Sequence, residues 1–461
     1  MKATAIASSL LLLSLPLVTA IRFTWIPEQN DSTAIYRFTS PVHVLNSPVP
    51  TLLYPKKETE EYHEEDQTVQ VSDSSVINKK TSGKDEAERE HDNDPSLQEA
   101  EIVDLDFPCP SPGDIAPCVC NNDEEKHLKL DCTQIEGETQ LARVFQNNFP
   151  VKDFYEFKME ENSGIKTLGN IFNGLTFERV IFSPGPFSIE RISDFFLSDS
   201  FNTLKELQVR HTMVTADFFP FYTLSSYVNL ESLYIDYTNL KWIPKITGPK
   251  IKTLSLESTG LTSLQPGTFE QLSNLKNIAL SLNNFTELRN GTLLIPNTEM
   301  KFHMVNNLLE EIQPGTFYFL DDASSSSSFK VTYELSGNRL QQLHARTFPL
   351  RNAPVFLDFS NNNINNIEQG AFVMPHQTDT FSIEINLTGN QLETIEEEVF
   401  GELFRHLTAL YISGNPLRCG CDMAWLITNK ENLHRLDDAA SCVDGTRLID
   451  LDHQLYEHFC S

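Results

Sequence analysis

Cysteine is the residue type whose spacing carries the clearest chemistry in this chain. Its 8 cysteines form two quartets, Cys109, Cys118, Cys120 and Cys132, then Cys419, Cys421, Cys442 and Cys460. Residues 133–418 contain none. Each quartet holds a C-x-C pair, and two cysteines that close along an extended segment cannot bond to each other without strain. Each must find a distant partner. Pairing first with third and second with fourth gives Cys419–Cys442 and Cys421–Cys460, a small lid carrying Trp425 and Leu426. The same logic joins Cys109 to Cys120 and Cys118 to Cys132. Four cysteines allow three connectivities, so the spacing leaves this choice open. Zinc is the weaker reading, because C-x-C lacks the usual two-residue ligand spacing.

Disulfides need an oxidising compartment. Residues 1–20, "MKATAIASSLLLLSLPLVTA", have an early lysine, an apolar run and a small-residue exit at Val18-Thr19-Ala20. That pattern predicts a secretory signal peptide. No later run approaches the roughly 20 apolar residues of a spanning helix, and only Ser461 follows Cys460, which leaves no space for an anchor tail. The expectation is a secreted, extracellular protein with no membrane insertion.

The chain has no Gly-rich phosphate loop, no H-E-x-x-H helix and no G-x-S-x-G elbow. "EYHEED" (61–66) sets one His among carboxylates but lacks a second His at helical spacing. His303 falls on the solvent side of a strand pattern, where a polar contact residue is the ordinary reading. The sequence therefore predicts no catalytic residue, no cofactor and no metal.

The elements that position the cysteines come from a repeat. "IKTLSLESTGL" (251–261), "LKNIALSLNNF" (275–285), "PVFLDFSNNNI" (354–364), "SIEINLTGNQL" (382–392) and "LTALYISGNPL" (407–417) share the phrase L-x-x-L-x-L-x-x-N-x-L. The Asn place is filled by Thr259, Asn283, Asn362, Asn390 and Asn415. Looser copies place Asn307 and Asn338 there, and earlier ones Asn162, Gly185, Thr212 and Thr238. Successive anchors stand 23, 27, 26, 21, 24, 24, 31, 24, 28 and 25 residues apart. The longest interval contains the inserted "DDASSSSSF" (321–329).

The L-x-L core alternates with period two, so it predicts a short strand with one face inward. The Asn amide can bond backbone groups buried at the coil corner. Threonine supplies part of that pairing and Gly185 none, which predicts a less regular N-terminal half. Ten residues after the anchor comes Phe269, Phe317, Phe348, Phe372 or Phe400, often with glycine two places earlier (Gly267, Gly315, Gly370). At this period an aromatic stripe predicts a core spine, not a cofactor box. A single coil cannot bury its own apolar face, so coils stack and their strands form one parallel sheet. At about 4.8 Å per strand, ten to twelve strands make an inner edge of roughly 50 Å. The wider outer side bends the stack into a horseshoe, and the cysteine quartets cover its two raw ends.

Charge bounds the partners. The net charge is −29, from 35 basic and 64 acidic side chains. Lys56–Asp106 holds 17 acidic and 6 basic residues with few large apolar ones. Such a segment cannot offset its ordering entropy by burial, which predicts disorder. The acidic balance argues against nucleic acid as a partner.

"NPLRCGCDMAWL" (415–426) with its later cysteine pair resembles the C-terminal cap of extracellular leucine-rich-repeat proteins. "CPSPGDIAPCVC" followed by "LKLDC" resembles the N-terminal cap of arthropod proteins described as oplophorus-luciferin 2-monooxygenase non-catalytic subunit-like. The likeness covers residues 107–461. It implies a leucine-rich-repeat solenoid, an α/β horseshoe with a parallel concave sheet, a mostly irregular convex side and disulfide-stapled caps. The division is 1–20 signal peptide, 21–106 disordered leader (acidic from about 56), 107–135 N-terminal cap, 136–414 about ten repeats and 415–461 C-terminal cap. In the namesake luciferase, the leucine-rich subunit accompanies a smaller catalytic chain and does not itself oxidise the luciferin. By that resemblance this chain is a secreted, non-enzymatic protein binder that supports a smaller enzyme, luciferin-oxidising or other. The alternative is a matrix, adhesion or immune recognition module that binds another protein through the concave face.

Strand parity selects the concave side chains. In three early coils they are Gln208, Arg210 and His211; Tyr234, Asp236 and Tyr237; and Ser255, Glu257 and Ser258. They form a candidate contact patch, although Arg210 and Asp236 on adjacent rungs can equally neutralise each other. Glu334, Asp358 and Tyr411 give later coils a flatter, more acidic floor. Four sequons, at Asn30, Asn284, Asn290 and Asn386, suit a secreted glycoprotein. Parity places Asn386 on the concave face, where a glycan would turn a partner toward the earlier coils.

Overall fold

The computed structural model describes residues 108–161, 164–185, 188–295, 299–319, 330–350, 354–373 and 382–460. All lie in the unit Ser96–Ser461. The signal and leader segments, Asn30, the anchor Asn162 and the insertion at 321–329 fall outside the described residues.

One thirteen-stranded sheet organises the chain, with its strands in sequence order. They are β1 (Val119–Asn122), β2 (Leu128–Asp131), β3 (Asp153–Glu160), β4 (Thr176–Ser183), β5 (Glu206–Arg210), β6 (Ser232–Asp236), β7 (Thr253–Ser255), β8 (Asn277–Ala279), β9 (Met300–His303), β10 (Val331–Glu334), β11 (Val355–Asp358), β12 (Ile383–Asn386) and β13 (Leu407–Tyr411). β1 pairs antiparallel with β2. From β2 onward every neighbour is parallel, as one strand per right-stacked coil requires. Behind the sheet the coils return through 3-10 turns and paired two- or three-residue strands. This is a parallel-sheet solenoid of the leucine-rich-repeat type.

Alternation explains which side chains fill it. Leu207 and Val209, Leu233 and Ile235, Ile278 and Leu280, and Leu357 and Phe359 point inward and are buried. They belong to one apolar cluster running from Ile115 in the N-terminal region to Leu448 in the C-terminal region. Phe317, Phe348, Phe372 and Phe400 stack from coil to coil at 5.6, 6.2 and 6.4 Å between centroids. Phe269 is buried but stands outside that stack, because Leu293 occupies the intervening coil and pairs with Phe317. A second aromatic cluster, centred on Phe157, Phe172 and Phe182, fills the early coils.

The anchor column is a hydrogen-bonded ladder. The Asn283 amide donates to the carbonyls of Leu256 (2.8 Å) and Leu280 (3.0 Å). Its oxygen accepts from the Thr259 and Leu261 N–H groups at 2.9 and 3.1 Å. Asn307, Asn338, Asn362, Asn390 and Asn415 make equivalent bonds and are all buried. In the earlier coils the Thr212 and Thr238 hydroxyls find no partner among the described residues. The ladder is thinnest where threonine replaces asparagine.

Disulfides join Cys109 to Cys120, Cys118 to Cys132, Cys419 to Cys442 and Cys421 to Cys460. At the far end of the sheet, Leu410 on β13 donates its N–H to the Arg435 carbonyl and accepts from the Asp437 N–H. The Asp437 carboxylate also takes the Ile412 N–H at 2.7 Å. Trp425 donates its indole N–H to the Ile395 carbonyl at 2.9 Å and packs edge-on against Phe404. The strand edge is thereby paired and its apolar end covered, the two exposures a solenoid terminus must remove.

Replacing Asn362 with leucine strands the buried Leu340 N–H and removes one of two amide donors from each of the Leu335 and Phe359 carbonyls, which keep Asn338 and Asn390. Asn362→Leu is expected to lower stability by about 1–3 kcal/mol, seen as an earlier urea midpoint at unchanged slope. An unshifted midpoint would show that the ladder is dispensable.

Candidate functional site

The outer face of the sheet carries the side chains that alternation turns away from the core. Register sets Gln208 beside Tyr234 beside Ser255, and Arg210 beside Asp236. Asp236 is only 3% exposed. Its carboxylate accepts from Ser255 Oγ at 2.6 Å and from the Glu257 N–H at 2.9 Å, and it pairs with Arg210 Nε at 3.1 Å. The Arg210 guanidinium lies over the Tyr234 ring, 4.6 Å from its centroid. Asp236 is thus a joint between three coils.

Eight of the nine residues expected to form one contact patch therefore divide. Gln208, Asp236 and Ser255 are buried and support the face without being available to a partner. His211, Tyr237, Arg210, Tyr234 and Glu257 remain accessible in whole or part. One coil earlier, Arg179 bridges Glu156 (2.5 Å) and Glu206 (3.0 Å), and Gln208 donates to the same Glu206 oxygen. Sequence reading did not single out this second charge ladder. Most charged groups on the early face are already matched to one another.

Glu257 is the exception in its electrostatics. Burial, and then the neighbouring Asp236 carboxylate, push its pKa above the usual carboxylate range. A cationic group brought against it would relieve both effects.

A column of unusual backbone crosses the same face. Apart from Pro184 before Gly185, the residue immediately before each anchor has a left-handed φ: Glu161, His211, Tyr237, Ser258, Leu282, Asn306, Gly337, Asn361, Gly389 and Gly414. Its N–H is held by the next coil, as Tyr237 is by the Glu257 carbonyl at 2.8 Å and Leu282 by the Val305 carbonyl at 3.0 Å. Later coils fill the position with asparagine or glycine, which tolerate it. Tyr237 (φ 53°) and Leu282 (φ 58°) do not belong there by propensity, and they are 45% and 48% exposed. Such a conformation costs about 1 kcal/mol or more for a bulky residue. The Tyr237 ring stacks on His211 at 4.7 Å with a 9° interplanar angle. Burial does not explain these two side chains. The sequence signal, a bulky residue at the position that the later coils give to Asn or Gly, was present but was missed at Leu282.

The later coils are differently furnished. A shallow groove of about 490 Å³ runs past Lys301, Lys330, Phe356 and Glu384. In it His303 Nδ1 meets Glu334 at 2.6 Å, and the Tyr411 hydroxyl donates to Glu384 at 3.0 Å. Asn386 lies on this face between Asp358 and Tyr411, half-buried, its amide oxygen accepting the Thr388 N–H. Asn284 and Asn290 are exposed. Among the described residues, no helix is long and apolar enough to cross a membrane.

A family model for the leucine-rich repeat matches residues 249–294. With the coil stack and the Asn ladder, this makes the chain a leucine-rich-repeat protein. It is a homologue of the Oplophorus-luciferin 2-monooxygenase non-catalytic subunit of Oplophorus gracilirostris, with 23% identity over 353 residues, 76% of this chain and 88% of that protein. It is also similar to Toll-like receptor 9 of Mus musculus, 29% identical over 34% of this chain and 14% of the receptor. Podocan of Mus musculus is 23% identical over 47% of this chain and 37% of its own length.

The raised pKa of Glu257 has a signed consequence. The folded state holds that proton more tightly than the unfolded state does, so the group favours folding in acid. That contribution is lost as pH climbs from the ordinary carboxylate range through the raised folded value. Glu257→Gln, which cannot ionise, should melt at a higher temperature than wild type at neutral pH. The difference should vanish below the ordinary carboxylate range; a pH-independent difference would mean that ionisation is not its source.

Proposed function

We propose that this chain is a secreted, non-enzymatic binding protein that holds another protein against the early coils of its sheet, as a supporting subunit of a smaller enzyme. The observation that carries the reading is the pair Tyr237 and Leu282, bulky side chains held exposed on left-handed backbone at the position where the later coils place asparagine or glycine. Strain of this kind persists where the exposed side chain has a task. Tyrosine beside a stacked histidine, with Arg210 and Glu257 at its margin, offers an apolar anchor within a polar rim. The partner presents an apolar surface to Tyr237 and a cationic group to Glu257.

The non-catalytic and subunit parts of the reading draw support from the Oplophorus relative, whose name describes it in those terms. Secretion draws on the four disulfides and the N-terminal signal pattern. The shorter likenesses to podocan and a Toll-like receptor favour a second reading, a matrix or recognition module using the same face.

Native protein from its own tissue fluid should co-elute with a second, smaller chain on size exclusion. Recombinant protein should rebind that chain, and Tyr237→Asn should weaken rebinding by roughly tenfold or more. The same variant should leave stability unchanged or raise it by up to about 1 kcal/mol, since asparagine suits the backbone. A partner-free native monomer would reject the subunit role. Binding to matrix or cells instead would select the second reading.

Asn386 is proposed as a glycosylated position that closes the later coils to a partner. Glycopeptide mapping of secreted material should find it modified, and an unmodified Asn386 would reopen that half of the face.

A further inference from the structure

Two corners of the anchor ladder are closed by threonine, and they leave particular buried groups unpaired. In a regular corner the asparagine oxygen accepts the N–H of the residue two places after the preceding anchor. Leu261 donates in this way to Asn283 at 3.1 Å, Leu340 to Asn362 at 3.1 Å and Ile364 to Asn390 at 2.9 Å. Val214 and Leu240 hold the same place before the anchors Thr238 and Thr259. Both are buried, at 0% and 1% exposure, and neither N–H meets an acceptor among the described residues. The Thr238 hydroxyl, also buried, has no partner among them either.

The coils are in their ordinary register here. The Asn239 N–H bonds the Val214 carbonyl at 3.1 Å, as the Asn284 N–H bonds that of Leu261 at 2.8 Å. The Lys241 N–H bonds the Thr259 carbonyl at 3.1 Å. Each unpaired N–H is thus set toward the threonine of the next coil. Threonine carries its oxygen one bond nearer the backbone than asparagine does. An oxygen that asparagine brings to about 3 Å therefore stops about 1.5 Å short. That span is too long for a direct bond, and it is about the span that one water bridges with two bonds of its own.

The surroundings are polar enough to hold one. At the first corner stand the Val214 N–H, the Thr238 hydroxyl and the Ile235 carbonyl. No side chain among the described residues donates to that carbonyl, which stands where Leu280 receives the Asn283 amide. Three partners are the usual number for a buried water. At the second corner the Thr259 hydroxyl donates to the Leu256 carbonyl at 3.1 Å, so its lone pairs face a water held by the Leu240 N–H. Buried N–H groups in folded proteins are almost always paired, with protein or with water.

We propose that a buried water molecule sits at each of these two corners, one linking Val214 to Thr238 and one linking Leu240 to Thr259. Water thereby continues the ladder through the coils that carry His211 and Tyr237. These sites lie inside the coils and do not depend on the binding role assigned to the outer face.

Two substitutions at Thr238 test this by the sign of their effect on the melting temperature of the full secreted chain. Thr238→Val keeps the shape of the side chain and removes its hydroxyl. With water in place the variant loses a partner for that water and should melt lower than wild type. Were the hydroxyl bare, its removal would relieve a burial cost and the variant would melt higher. Thr238→Asn brings an amide that displaces the water and pairs Val214 directly, so it should melt higher. A high-resolution crystal structure of the wild-type chain should show density within hydrogen-bonding distance of both threonine hydroxyls and both N–H groups. In Thr238→Asn the density beside Val214 should disappear and that beside Leu240 should remain. An unchanged or higher melting temperature in Thr238→Val, a lower one in Thr238→Asn, or the absence of wild-type density at either corner would overturn the proposal.

Discussion

The constraint on which this fold rests is the pairing of backbone groups at the inward corner of each coil. A solenoid turn sends N–H and carbonyl groups into an apolar interior where water cannot reach them, and each unpaired group costs about 1–3 kcal/mol. One asparagine per coil resolves this, because its amide donates and accepts at once. Asn283 ties its own coil to the one before it through Leu256 and Thr259. The bond is both a corner and a rivet, and its repetition at nearly constant interval keeps the coils in register.

The same corner explains where recognition is placed. The chain reaches every anchor but Gly185 through a left-handed residue, and in most coils the next coil has already claimed its N–H. The five later coils, from Asn306 to Gly414, meet that demand with asparagine or glycine. The coils with weaker anchors, where the Thr212 and Thr238 hydroxyls lack partners, are also the ones displaying His211 and Tyr237. Departures from an otherwise consistent local pattern concentrate at functional surfaces. Here the departures in backbone, anchor and exposure coincide within neighbouring coils.

The charge distribution on the face follows from the parallel register. Equivalent positions in successive coils lie side by side, so opposite charges neutralise along a row, as in Glu156–Arg179–Glu206 and Arg210–Asp236. Much of the polar surface thereby becomes a scaffold that fixes side chains before a partner arrives, which reduces the ordering cost of binding. What is left for recognition is small and mainly aromatic.

The repeat, the inward and outward faces and the anchor ladder were legible in the sequence, because each depends on local periodicity and on one residue's hydrogen-bonding capacity. Contact between residues outside the main sheet was not. Phe269 obeys the column rule yet stands apart from the ring stack, since Leu293 fills the coil between. Gln208, Asp236 and Ser255 point outward by parity yet are buried, because larger neighbours and their own hydrogen bonds close over them. Arg191, Phe218, Tyr222 and Trp242 lie in segments without a repeating pattern, and only the stacking of three coils gathers them into a cleft. Periodicity determines the direction in which a side chain leaves the backbone. What it meets there depends on residues a full turn away, and the packed structure alone decides that.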